Sequence, residues 1–169
     1  FVQFSAKSDV FCGDNKLGRA YYCIPRVFNP TPSYLFHSKG DGTFTDVSKS
    51  SGISKSLGKA LGVVATDVNN DGLMDLYFAN MFSSAGNRIA SQEQFKKTEN
   101  TASREGFLRH ARGNSLFKNL GNGKFEDVSE TAGVTLGRWA WGSLFLDFNN
   151  DSWDDLYVAN GFFTTPDTG

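Results

Sequence analysis

Asp67-Val68-Asn69-Asn70-Asp71-Gly72-Leu73-Met74-Asp75-Leu76-Tyr77-Phe78-Ala79-Asn80 is the stretch whose reading decides the fold. It joins an acidic loop to a run of apolar and aromatic residues without helical period. The pattern returns 80 residues later as Asp147-Phe148-Asn149-Asn150-Asp151-Ser152-Trp153-Asp154-Asp155-Leu156-Tyr157-Val158-Ala159-Asn160. A second pair of segments repeats beside it. Leu35-Phe36 followed by Gly40-Asp41-Gly42-Thr43-Phe44-Thr45-Asp46-Val47-Ser48 reappears 81 residues on as Leu116-Phe117 followed by Gly121-Asn122-Gly123-Lys124-Phe125-Glu126-Asp127-Val128-Ser129. Self-similarity at this period marks a repeated supersecondary unit.

Each unit reads as four short strands. Tyr34–Ser38 and Thr43–Val47 flank a Gly-Asp-Gly turn, and Gly62–Thr66 and Leu76–Asn80 flank the first acidic loop. The second unit gives Ser115–Asn119, Lys124–Val128, Gly142–Leu146 and Leu156–Asn160. Gly, Asn and Asp supply the positive φ that tight hairpin turns require. Four antiparallel strands per unit, repeated, predict the blades of a β-propeller. A β-sandwich would accommodate the strands but gives no reason for the long-range repeat. Runs such as Leu144-Phe145-Leu146 predict inner strands buried on both faces.

The acidic loops have the chemistry of cation sites. Ca²⁺ is a hard ion that takes six to eight oxygens at about 2.3–2.6 Å. The first loop offers Asp67, Asn69, Asp71 and Asp75 at positions one, three, five and nine, with the carbonyl of Leu73 at position seven. The second offers Asp147, Asn149, Asp151 and Asp155, with the carbonyl of Trp153. Two Ca²⁺ sites are therefore expected. An EF-hand opens similarly but needs Glu at position twelve and flanking helices. Position twelve here is Phe78, and the flanks are strand-like, so that reading fails. Asn-Asp-Gly is also a common turn, but turn formation alone does not call for four oxygen side chains at the same spacing twice. Ser152 stands where the first loop has Gly72. If that position requires a left-handed backbone, Ser costs roughly 1 kcal/mol, so the second site is expected to be the weaker. Asn150-Asp151-Ser152 is formally a glycosylation sequon, and its place inside a metal loop argues against modification.

The remaining composition bounds the function. The chain has 169 residues, 39% hydrophobic with 16 Phe, enough for a packed core. Its net charge of −1 gives no global cue for nucleic acid or an anionic membrane. It has no run of about 20 apolar residues, so no membrane-spanning helix is expected, and no signal peptide is visible. With Phe1 beginning mid-pattern, the chain is expected to be a mature product or a piece of a longer protein. Cys12 and Cys23 lack the further Cys or His that a zinc site needs. A disulfide closing a short loop is the preferred reading, and two buried free thiols the alternative. Residues 83–113 have no counterpart in either unit. They carry six Lys or Arg against three Glu, and contain two weakly helical stretches.

The two repeated motifs together resemble FG-GAP/VCBS repeat proteins, and more narrowly the ASPIC/UnbV, or cartilage acidic protein-like, group. The resemblance covers roughly residues 30–162. It implies a propeller of about seven blades with Ca²⁺ in the hairpin between the first two strands of a blade. It also shifts the frame, so that one complete blade runs from about Gly62 to Ser129 with the basic insertion between its second and third strands. Residues 1–32 are then an N-terminal segment, 33–162 the blades, and 163–169 the start of a following segment. The resemblance implies a secreted, periplasmic or cell-surface binding or adhesion module with a protein or glycan partner.

No catalytic constellation is present in the sequence. The two histidines, His37 and His110, lie in unrelated segments. His37 is expected to be structural, and His110 a solvated partner of Glu105 or an anion contact. Neither a nucleophile elbow nor a phosphate loop occurs. Trp139-Ala140-Trp141 is the aromatic candidate for ligand contact, with core filling as the default. The leading expectation is a Ca²⁺-stabilised, non-catalytic extracellular scaffold. Its rivals are a docking subunit of a larger surface assembly or fibre, by self-association through residues 83–113, and an accessory propeller domain of an enzyme whose active site lies elsewhere.

Overall fold

The computed structural model describes residues 13–14, 19–20, 31–55, 60–81, 89–95, 105, 108, 111–137 and 140–160. It is built from antiparallel strands. A minimal hairpin pairs β1 (Gly13–Asp14) with β2 (Arg19–Ala20). β3 (Phe36–Ser38) pairs with β4 (Phe44–Asp46). A four-stranded sheet follows in the order β5 (Ala60–Thr66), β6 (Asp75–Asn80), β7 (Ser115–Asn119) and β8 (Phe125–Asp127). A last hairpin pairs β9 (Ala140–Leu146) with β10 (Asp155–Asn160).

This topology corrects the first division of the repeat. Among the described residues β3–β4 forms a sheet separate from β5–β6, so the strands from Tyr34 to Asn80 are not one unit. The complete four-stranded unit comes instead from β6 pairing with β7 across residues 83–113, with Tyr77 opposite Leu116. That is the frame the family resemblance implied.

β6 explains why this sheet holds together. It is the second of four strands, covered on both faces, and Tyr77, Phe78, Ala79 and Asn80 are all buried. An apolar run suits such a strand better than alternation does. Phe78 meets Phe117 of β7 edge to face, with ring centroids 5.6 Å apart, a favoured aromatic geometry. Ile53 completes this core from a short 3₁₀ turn, Ile53–Lys55, that follows helix α1 (Ser48–Ser51). Leu35, Ala60, Leu76 and Phe125 pack around it.

The outer hairpins close by a device repeated in both units. Ser48 Oγ accepts the Leu35 amide and donates to Asp46, while the Val47 amide donates to Leu35 O. Ser129 accepts the Leu116 amide and donates to Asp127, and the Val128 amide donates to Leu116 O. The Asp-Val-Ser triplets therefore satisfy backbone groups of Leu35 and Leu116 beyond the last ladder pair of each hairpin.

β9 lies against β5 and β6, and Phe145 meets Tyr77 edge to face at 5.8 Å. Gly137 fits tightly at this junction. A Cβ there would collide with Asn114 Nδ2 and lie 3.0 Å from Val158 Cγ1. The other face of β9–β10 corrects the expectation of two-sided burial. Leu144, Leu146 and Tyr157 are about half exposed, because among the described residues no further layer covers that face. In the insertion, residues 89–90, 105, 108 and 111 are helical, and Ala90 and Ala111 are buried.

Candidate metal loops

Both acidic loops cap hairpins at the same end of adjacent sheets, the first between β5 and β6 and the second between β9 and β10. Their backbones follow one path. In the first, the amides of Asp71 and Gly72 donate to the two oxygens of Asp67, at 3.0 and 2.7 Å. In the second, the amides of Asp151 and Ser152 donate to Asp147 at 3.0 and 2.8 Å. The Leu73 amide donates to Asp71 and the Trp153 amide to Asp151. The amide groups of Asn69 and Asn149 donate to Asp71 and Asp151, each at 2.9 Å. Val68 N donates to Asp75 and Phe148 N to Asp155.

The first carboxylate of each loop thus organises the turn. At Asp147, desolvation works to raise the pKa, but the amides of Ser152, Asp151, Asn150 and Asn149 together outweigh it and hold the carboxyl below the ordinary Asp value. Position six is left-handed in both loops, with φ 84° at Gly72 and 71° at Ser152. The condition set for a Ser penalty is therefore met at Ser152.

The loops differ in anchorage. Asp75 is fully buried, and its second oxygen accepts the Asn119 amide of β7 at 2.7 Å. Asn119 Nδ2 donates to Met74 O at 3.0 Å. The first loop is thereby fixed to a third strand. Asp155 is exposed, because no third strand pairs with β10 among the described residues. Lys118 Nζ stands 3.8 Å from Asp71 Oδ2 and offsets part of the loop's negative charge.

The donor set of each loop, three carboxylates with an amide oxygen and a main-chain carbonyl, fits a hard divalent cation. As placed, the side chains are turned onto backbone amides. Among the described residues no three His, Cys, Asp or Glu side chains converge on a common centre at metal-ligand separations. Asp67, Asn69, Asp71, Leu73 and Asp75 would hold an ion in the first loop, and Asp147, Asn149, Asp151, Trp153 and Asp155 in the second. The ion would supply positive charge to a turn whose carboxylates otherwise repel one another.

The other candidates fare differently. Cys12, Cys23, Trp139 and His110 lie outside the described residues. Trp141 is 60% exposed and lies outside the core of the described residues. His37 is exposed on β3 and fills no core. Sequence reasoning missed Thr66 and Asn70, and the contact that Asp154 makes. Thr66 Oγ1 donates to Asp154 Oδ2 at 3.0 Å, and Asn70 Nδ2 donates to Ser152 O at 3.3 Å, tying one loop to the other. The recurrence of Asn70 as Asn150 was a visible signal, but contacts between repeats leave no mark in a repeat's own pattern.

A complete antiparallel four-stranded sheet, flanked by hairpins that repeat its halves, with congruent acidic loops, makes a repeated, propeller-like all-β module. The FG-GAP-like repeat family matches residues 7–78 and 106–158, and the chain belongs to that family. It is similar to cartilage acidic protein 1 of Xenopus tropicalis, with 38% identity over 76 residues, 45% of this chain and 10% of that protein. The Homo sapiens protein of the same name is 37% identical over 76 residues, 45% of this chain and 9% of that protein. This chain thus spans about a tenth of the length of these relatives. Among the described residues no helix is long and apolar enough to cross a membrane.

Proposed function

We propose that the chain is a Ca²⁺-stapled propeller segment serving as a non-catalytic, extracellular binding or adhesion scaffold. One observation carries the metal reading. Two loops 80 residues apart adopt the same hydrogen-bond pattern around the same oxygen donors. Hairpin formation alone needs no such density of carboxylate. The ion neutralises the crowded Asp side chains and so clamps the first two strands of each blade.

The scaffold reading rests on the family match and on the relatives. Their name associates them with cartilage, which supports a secreted or cell-surface setting. One full blade with half a blade on either side fits a longer propeller of about seven blades. Its partner is a protein or a glycan, and the exposed indole of Trp141 suits stacking on a sugar face. Loss of glycan-array binding in Trp141→Ala would support a carbohydrate partner; unchanged binding would exclude this indole from the contact.

Calorimetric Ca²⁺ titration tests the metal reading. Asp71 and Asp151 are exposed, so each can be replaced without emptying the core. Asp71→Ala and Asp151→Ala are each expected to remove one binding step. Undiminished binding in both variants would refute the assignment.

A further inference from the structure

The loop-to-loop contacts join the two candidate sites at specific points. Thr66 immediately precedes Asp67, the first ligand of loop one, and its hydroxyl reaches Asp154, which immediately precedes Asp155, the last ligand of loop two. Asn70 sits between Asn69 and Asp71 with φ 55°, and its amide reaches the carbonyl of Ser152. That carbonyl belongs to the peptide whose N–H, on Trp153, donates to Asp151 at 2.9 Å. Fixing this peptide fixes both the Asp151 carboxylate and the start of the Trp153 segment, whose carbonyl is a candidate ligand.

The support runs unequally. Loop one is anchored to β7 through buried Asp75. Loop two has a left-handed Ser152 where loop one has Gly72. Loop two therefore starts with more backbone strain than loop one, and its contacts with loop one help to hold it.

We propose that Thr66 and Asn70 are positioning residues for the second loop, so that the two loops fill with Ca²⁺ in a coupled way, loop one first. The proposal rests on the metal reading above. An ion in loop one fixes Asn69 and Asp71, and hence Asn70 between them. The Ser152 carbonyl is then held before a second ion arrives, and less ordering remains to oppose its binding. By linkage the second ion strengthens the first by the same factor.

The test uses the full chain, Ca²⁺ calorimetry, and hydrogen exchange at residues 147–155 with and without Ca²⁺. Asn70→Gly keeps the left-handed backbone accessible while removing the amide, and Thr66→Val removes the hydroxyl while keeping the shape. Each variant is expected to weaken the second binding step by about fivefold, the scale of one hydrogen bond, and to speed exchange in loop two even without metal. Two independent steps in the wild type, unchanged in the double variant along with the exchange, would overturn the coupling and leave the metal reading standing. Absence of any Ca²⁺ binding in the wild type, with faster exchange in the variants, would overturn the metal reading and the ionic coupling together and leave only a structural clasp.

Discussion

Gly72 and Ser152 occupy equivalent backbone positions with equivalent positive φ, and only Gly reaches that region without strain. A Cβ at Gly72 would meet nothing within 4 Å, so the difference between the loops is conformational rather than steric. Ser152→Gly is accordingly expected to raise unfolding free energy by about 1 kcal/mol, measured by urea denaturation without metal. No change would mean that Ser152 is relieved by contacts that Gly cannot make. The need for a turn here was legible in Asn-Asp-Gly. The substitution of Ser showed where the strain would lie, because the first loop supplied the reference. The service of Thr66 and Asn70 to a different loop was not legible, since it depends on how neighbouring blades are set against each other.

Strands were legible at the scale of elements because their signal is local. Aromatic and β-branched runs bounded by Gly and Asn placed each hairpin to within a few residues, as with Leu76–Asn80 against the observed β6. The grouping of hairpins into blades was not legible in the repeat itself and came only from the family resemblance. A repeat looks the same wherever it is cut, and in the structure the β6–β7 ladder across residues 83–113 fixes the frame. The Asp-Val-Ser triplets were visible as repeats, but their closing role appears only once Leu35 and Leu116 are seen to need acceptors. This device has a pH signature. The Ser48 hydroxyl, aided by its amide and opposed by desolvation, holds the Asp46 carboxyl below the ordinary value of 3.8. A depressed carboxylate stabilises the fold above its unfolded pKa and loses that contribution as pH falls through the folded value. Stability is therefore expected to be flat in Asp46 protonation near neutrality and to decline below about pH 4. Asp46→Asn should flatten part of that acid limb in pH-dependent urea melts, and an identical limb in wild type and variant would show that Asp46 is not a source of it.

Across the whole molecule the blade-to-blade junction is the organising feature. Tyr77 lies at its centre, against Phe145 and donating its hydroxyl to Val134 O at 3.2 Å. Burial pushes its phenol up to about 12, with the Asn114 side chain acting the other way. Both acidic loops stand at one end of this junction. A cation in each would tie the strands of its own hairpin, and the Thr66 and Asn70 contacts would tie the hairpins to each other. Removing the ions would leave Asp67, Asp71 and Asp75, and likewise Asp147, Asp151 and Asp155, crowded in their turns, so the structure should loosen from that end. Thermal unfolding of the full chain, followed by calorimetry in Ca²⁺ and in EGTA, tests the staple most directly. A clearly higher melting temperature in Ca²⁺, reduced in Asp71→Ala and Asp151→Ala, is the predicted result; the same melting temperature in Ca²⁺ and in EGTA would contradict it.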